Sequence, residues 1–135
     1  YFRWNYIVSQ KDLIQSINNK FEIELIKVLE LNPLKKGESG RIIELGIDYL
    51  NMKNENKTLI INSEYEIRNI LSESFLFSSA FNISKQNENF LLEGKGWGHG
   101  VGLCQIGALG MALSKHKVDK ILSHYYPKSI LKSIY

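Results

Sequence analysis

The residues able to do chemistry in this chain crowd into one stretch. Residues 94–112, GKGWGHGVGLCQIGALGMA, hold seven of the ten glycines, one of the two tryptophans, the single cysteine and one of the three histidines. Gly94, Gly96, Gly98, Gly100 and Gly102 fall at every second position. A period of two is the period of an extended strand, whose side chains alternate between faces. The spacing therefore predicts a strand with one bare face and with Lys95, Trp97, His99 and Val101 on the other. A bare face lets a ligand or another backbone approach closely. Each glycine also costs roughly 0.5–1 kcal/mol relative to alanine inside a regular element. Any one of them reads as a turn or a packing contact; five in alternation read as a site.

Several chemistries fail on spacing. Starting from Gly94, Gly96 or Gly98, the last position of G-x-G-x-x-G falls on His99, Val101 or Leu103, so no dinucleotide fingerprint fits. Gly94-Lys95 is followed by Gly96 rather than Ser or Thr, which removes a phosphate loop. His99 and Cys104 are metal-ligating types, but neither C-x-x-C nor H-E-x-x-H spacing accompanies them. No metal and no cofactor are expected.

The elements around the glycines must position them. Residues 103–114, LCQIGALGMALS, are apolar or small, without charge or proline. They predict a helix starting near Cys104 and Gln105 and buried on most sides, too short to span a bilayer. Its unpaired N–H groups would face the region of His99 and could hold an anion or a polar sugar group. Upstream, YFRWNYIV is rich in strand formers. Ser9 with Asp12, and Ser63 with Glu66, predict capped helices carrying Leu13, Ile14 and Ile17, and then EYEIRNIL. Residues 22–31 alternate only roughly and read as a strand, with helix as the competitor. A turn over residues 33–40, then RIIELGIDYL, TLIIN, SFLFSSAFNIS and NFLLEG as strands, complete the first part. VDKILSHYY reads as a short helix stopped by Pro127, and SILKSIY as a closing strand. The fold class expected is α+β: mixed strands, a buried glycine/alanine-rich helix and a short C-terminal helix, as part of a larger domain.

Composition is that of an ordinary globular chain, 44% hydrophobic and 23% charged. A net charge of +3 is too mild to argue for nucleic acid. The charge is unevenly placed: residues 95–135 hold six lysines and one acid, Asp119, so residues 1–94 are net negative. A basic surface near the glycines suits an anionic polymer as well as it suits plain solvation. One cysteine excludes an internal disulfide. The chain begins at Tyr1 rather than Met, with strand-like sequence, so the missing targeting signal carries no information about compartment.

The stretch 94–112, followed by VDKILSHYYPKSIL, resembles the C-terminal signature of the stage II sporulation protein D family, also called the amidase-enhancer (LytB-type) domain. That signature reads G-x-G-x-G-H-G-V-G-[ML]-[SC]-Q-x-G-A-x-x-M-A, then I-L-x-H-Y-Y-P. The matches run from Gly94 through Ala112 and continue with Ile121, Leu122, His124, Tyr125, Tyr126 and Pro127. SGRIIELGI, and IRNIL before SFLF, resemble the family's upstream segments. On this resemblance residues 1–135 are the C-terminal part of a peptidoglycan lytic domain. The resemblance implies lytic cleavage of the bond between N-acetylmuramic acid and N-acetylglucosamine in strands stripped of stem peptides, giving a 1,6-anhydro sugar. In spore formers this serves forespore engulfment; other members act beside wall amidases. The expected setting is extracytoplasmic and wall-facing, in a membrane-anchored parent, and the expected partners are glycan strands, the N-terminal half of the same domain and other wall hydrolases.

The family's acidic segment, resembling E-A-L-K-A-Q-A-V-A-A-R, has no counterpart here. The chain is expected to be inactive alone and to form one wall of a groove; the alternative is a non-catalytic wall-binding or amidase-activating module. Within the resemblance, His99 orients the acid or binds a sugar group, or is a structural histidine. Gln105 donates to an N-acetyl carbonyl, or caps the helix. Trp97 offers a flat surface to a sugar ring, or is core. Lys95, Gly98, Gly100, Cys104, Tyr125 and Tyr126 join the substrate-binding set, Cys104 reading otherwise as a small buried filler and the tyrosines as packing for the last helix. Glu38, Glu44, Glu73 and Glu93 lie near loops or strand ends, and none matches the family's acid.

Overall fold

The computed structural model describes residues 2–132. The chain divides into two compact units, residues 1–99 and 100–135. The class is α+β, with six strands in two sheets and four helices among the described residues.

In the first unit, β1 (Arg3–Val8), β6 (Asn89–Lys95) and β5 (Phe81–Gln86) make one sheet, in the order β1-β6-β5. β2 (Leu25–Lys36), β3 (Ile42–Asn51) and β4 (Asn56–Ile61) make the other, in chain order. Every pairing is antiparallel. Helix α1 (Gln10–Phe21) starts where its capping pair requires, Ser9 Oγ accepting from the Asp12 N–H at 3.1 Å. Its Leu13 and Ile17 are fully buried. Helix α2 (Glu64–Ile70) is capped in the same way by Ser63 and buries Ile67 and Ile70. Both helices join the two sheets in one core, with Val8, Leu45, Ile47, Phe90 and Leu92 among its members.

β2 explains the rough alternation of residues 22–31. Its buried residues are Leu25, Val28 and Leu31, three apart rather than two, because irregular pairings between Leu25 and Lys27 and between Val28 and Glu30 each insert an extra residue. As an edge strand it would leave backbone groups unpaired. Side-chain amides from α1 take them: Asn18 exchanges two hydrogen bonds with Leu25 (2.8 and 2.9 Å), and Gln10 exchanges two with Val28 (3.0 and 2.7 Å).

The expected turn is shorter than residues 33–40. Pro33 to Lys36 continue β2, which Pro tolerates at an edge where no ladder donor is needed, and the chain reverses over 37–40, with Gly40 at φ +76°. SFLFSSA is a buried loop rather than strand: strand begins only at Phe81, while Leu76, Ser78, Ser79 and Ala80 are buried.

The second unit holds α3 (Gln105–Leu113) and α4 (Val118–Tyr125), the latter ending before Pro127 as expected. None of the described side chains of α3 is buried, contrary to the burial its apolar sequence suggests. Residues 129–132 are not strand, and the rest of the expected closing strand lies outside the described residues.

Candidate functional site

The glycine alternation has a different cause from the one its period suggests. β6 ends at Lys95, and Gly96, Gly98, Gly100 and Gly102 all have positive φ, between 72° and 79°. Only glycine adopts this region freely. The period of two therefore records backbone conformation from Gly96 onward, and Trp97 and His99 lie beyond the end of the strand. Gly94 does obey the close-approach argument. It lies in β6 under the Trp4 indole, where a Cβ would overlap the ring. A Cβ at Gly98 would meet nothing within 4 Å, so Gly98 is required by its φ and not by crowding.

The segment 95–98 is held by its own backbone groups. The Lys95 N–H donates to the Ala80 carbonyl (2.9 Å), Gly96 N–H to Phe2 (3.0 Å) and Gly98 N–H to Phe77 (2.8 Å). Its carbonyls are taken as well. Ser78 Oγ donates to Lys95 (2.7 Å), Trp4 Nε1 to Gly96 (3.3 Å), and Arg41 to Trp97 (3.4 Å) and Gly98 (3.0 Å). A second arginine acts one step back. Arg68, buried, donates to the carbonyls of Leu76 (2.7 Å) and Phe77 (3.3 Å), pairs with Glu64 and lies 4.2 Å from the Phe75 ring centroid. The Phe77 carbonyl thus accepts from both Arg68 and Gly98, so α2 fixes the loop that fixes the glycine segment.

Among the expected site residues of this unit, Trp97 is 68% exposed. It is not core, yet it is supported: its ring lies 5.3 Å from Phe2 and 5.2 Å from Phe77, and Phe77 in turn meets the buried Trp4 at 5.7 Å. A stack of aromatic rings leads from the core to an indole at the surface. His99 and Lys95 are exposed.

In the second unit, Cys104 is exposed rather than a buried filler, and its Sγ accepts from the Gly107 N–H at 3.4 Å as the N-cap of α3. Serine is a preferred residue type for this position, which gives the S-or-C choice of the resemblance a physical reason. Gln105 is the first helical residue and is exposed; Cys104, not Gln105, supplies the side-chain cap. Gly107 has no room for a Cβ because the Tyr125 hydroxyl occupies that space, so this glycine sets how α4 packs on α3. The Tyr126 hydroxyl lies 3.6 Å from where a Cβ of Gly102 would be. Gly100 is exposed.

Sequence reasoning gave no role to Arg41 or Arg68. Both were in view, in SGRIIELGI and IRNIL, but an arginine's use in holding main-chain carbonyls far along the chain has no local pattern.

A family model for a domain of unknown function, DUF8618, matches residues 1–102. An uncharacterized protein of Brachyspira hyodysenteriae is 44% identical over 61 residues, covering 45% of this chain and 17% of that protein. The amidase enhancer of Bacillus subtilis is 32% identical over 68 residues, covering 50% of this chain and 10% of that protein. The match thus spans a small part of the length of either relative. The chain belongs to the DUF8618 family, whose domain it carries over residues 1–102.

Proposed function

We propose that the chain is a glycan-engaging part of a cell-wall-acting protein. The observation that carries this reading is Trp97, an exposed flat ring packed on Phe2 and Phe77, with its main-chain carbonyl held by Arg41, which suits stacking against the apolar face of a sugar. The similarity to an amidase enhancer supports a cell-wall-related role and so points to the wall as the source of the glycan.

In this reading the complete domain is a peptidoglycan lytic transglycosylase acting on denuded strands, as in forespore engulfment, and this chain supplies one wall of its groove. One carboxyl group suffices: it protonates the leaving oxygen and then, as carboxylate, takes a proton from the sugar 6-hydroxyl. The N-terminal half supplies that group; His99 and Gln105 orient it or the N-acetyl group. In the first unit Lys95 and Trp97 meet sugars and Gly98 sets the local backbone; in the second, Tyr125 and Tyr126 are the sugar-binding candidates and Gly100 sets the local backbone. The parent is extracytoplasmic and membrane-anchored. No helix among the described residues is long and apolar enough to cross a membrane.

Incubating residues 1–135 with denuded glycan strands, followed by mass spectrometry, tests the division of labour. No anhydro-sugar product is expected; its formation would move the acid into this chain. The relative's name favours a second reading, a non-catalytic wall-binding or amidase-activating module. Stimulation of a purified wall amidase on sacculi by this chain, with no lytic activity from the full parent, would select it.

A further inference from the structure

We infer that the outer face of the β1-β6-β5 sheet, at its Arg3–Lys95 end, is a binding groove for a carboxylate-bearing sugar. Period two along the strands builds it. Trp4, Gly94 and Phe81 form a buried cross-strand row, so the next row, Asn5, Glu93 and Asn82, points outward and is exposed. Arg3 and Lys95, paired across β1 and β6, extend this face by one row. Lys36 from the β2–β3 hairpin closes the side. The groove is open to solvent and offers about 430 Å³. A recess of about 190 Å³ shares Arg3 and Lys95 with it and runs to Phe2 and Gly96, beside the support of Trp97.

The donor set selects the ligand. Lys36 and Lys95 outnumber Glu93 in the lining, so the local charge favours an anion. Glu93 lies between two carboxamides and only accepts hydrogen bonds, so the ligand must also carry donors. A bare phosphate chain would set acceptors against Glu93. A sugar acid satisfies both demands: hydroxyls donate to Glu93 and to the Asn5 and Asn82 carbonyls, while its carboxylate meets Lys36 and Lys95. The ligand class follows from these side chains; only the choice of polymer rests on the wall reading, under which the muramic acid carboxylate of denuded strands is the anion.

Calorimetric titration of residues 1–135 with three oligosaccharides tests this: a muramic-acid-containing tetrasaccharide, the same compound with its carboxyls reduced, and a glucuronic-acid-containing tetrasaccharide. The acidic muramic compound should bind about three- to tenfold tighter than its reduced form. Lys36→Ala with Lys95→Ala, both exposed, should erase that difference without lowering Tm. Asn5→Ala with Asn82→Ala should weaken both forms. Equal affinity for the acidic and reduced compounds, or a preference that survives the lysine pair, overturns the inference and leaves the Trp97 reading intact. Binding of the glucuronic compound alone, sensitive to the lysine pair, upholds the groove and removes the wall reading. Binding of none of the three overturns the groove.

Discussion

From Gly94 to Gly98 the backbone is tied to a folded core by partners that can be named; from Gln105 to Leu113 an equally distinctive sequence buries no side chain fully among the described residues. The first region places Gly94 under Trp4 and fixes three N–H groups and four carbonyls. The second presents Ile106 and Leu113 at 78% and 77% exposure, with Gly107, Ala108 and Met111 half-buried and Gly107 close against Tyr125. Glycine therefore means two things here. In the first region it reports a backbone conformation and a ring packed flat on a strand. In the second it reports helix-to-helix approach, while the apolar residues around it report a surface that the unit does not cover. A helix hydrophobic on all sides is ordinarily a buried helix. On the proposed function, the N-terminal half of the parent domain covers it.

The contrast predicts a graded set of responses. Gly94→Ala should be the most damaging, at roughly 3 kcal/mol or more, because the new methyl overlaps the Trp4 indole. Urea unfolding measures it, and a second change, Trp4→Leu, should recover part of the loss. A neutral Gly94→Ala would mean that the indole does not lie there. Arg68→Met should cost about 2–3 kcal/mol, since it strips a charged donor from two main-chain carbonyls of the 75–77 loop. The same variant should disturb Trp97, detectable as a shift in its indole N–H resonance, because Phe77 carries both contacts. An unchanged resonance would break the link between α2 and the glycine segment.

Gly98→Ala should cost about 1–2 kcal/mol through its positive φ alone. Gly98→Asn should cost less, because asparagine tolerates that region. Equal penalties in thermal unfolding would point to crowding instead of φ. At the bottom of the scale, Ile106→Ser and Leu113→Ser should each change the stability of this chain by no more than about 0.5 kcal/mol. In the full-length parent the same changes should lower Tm measurably. A large loss in the isolated chain would show that its own unit buries α3.

Much of the first unit is legible in the sequence because its signals are local. The Ser9 and Ser63 caps, and Leu13 with Ile17 at helical spacing, need no knowledge of the rest of the chain. β2 is harder, since its bulges replace the period of two with a spacing of three that a helix also gives. The glycine segment misleads for a related reason: alternating positive φ and alternating strand faces share one period, and sequence alone does not separate them. Trp97 is legible as a candidate but not as a surface ring, because its exposure depends on Phe2 and Phe77, distant in sequence. Arg41 and Arg68 act through main-chain carbonyls, a use that any residue type can receive. The burial expected of α3 comes from its own composition, which does not say which surface covers it.

The central claim is that Trp97 is a sugar platform. Fluorescence titration of residues 1–135 with denuded glycan strands tests it most directly, in wild type, Trp97→Phe and Trp97→Ala. Wild type should show a saturable change in tryptophan emission. By competition, Trp97→Phe should bind with near-normal affinity and Trp97→Ala about tenfold more weakly with an unchanged Tm, the loss of one stacked ring being worth roughly 1 kcal/mol or more. Binding by Trp97→Ala equal to that of wild type would contradict the claim.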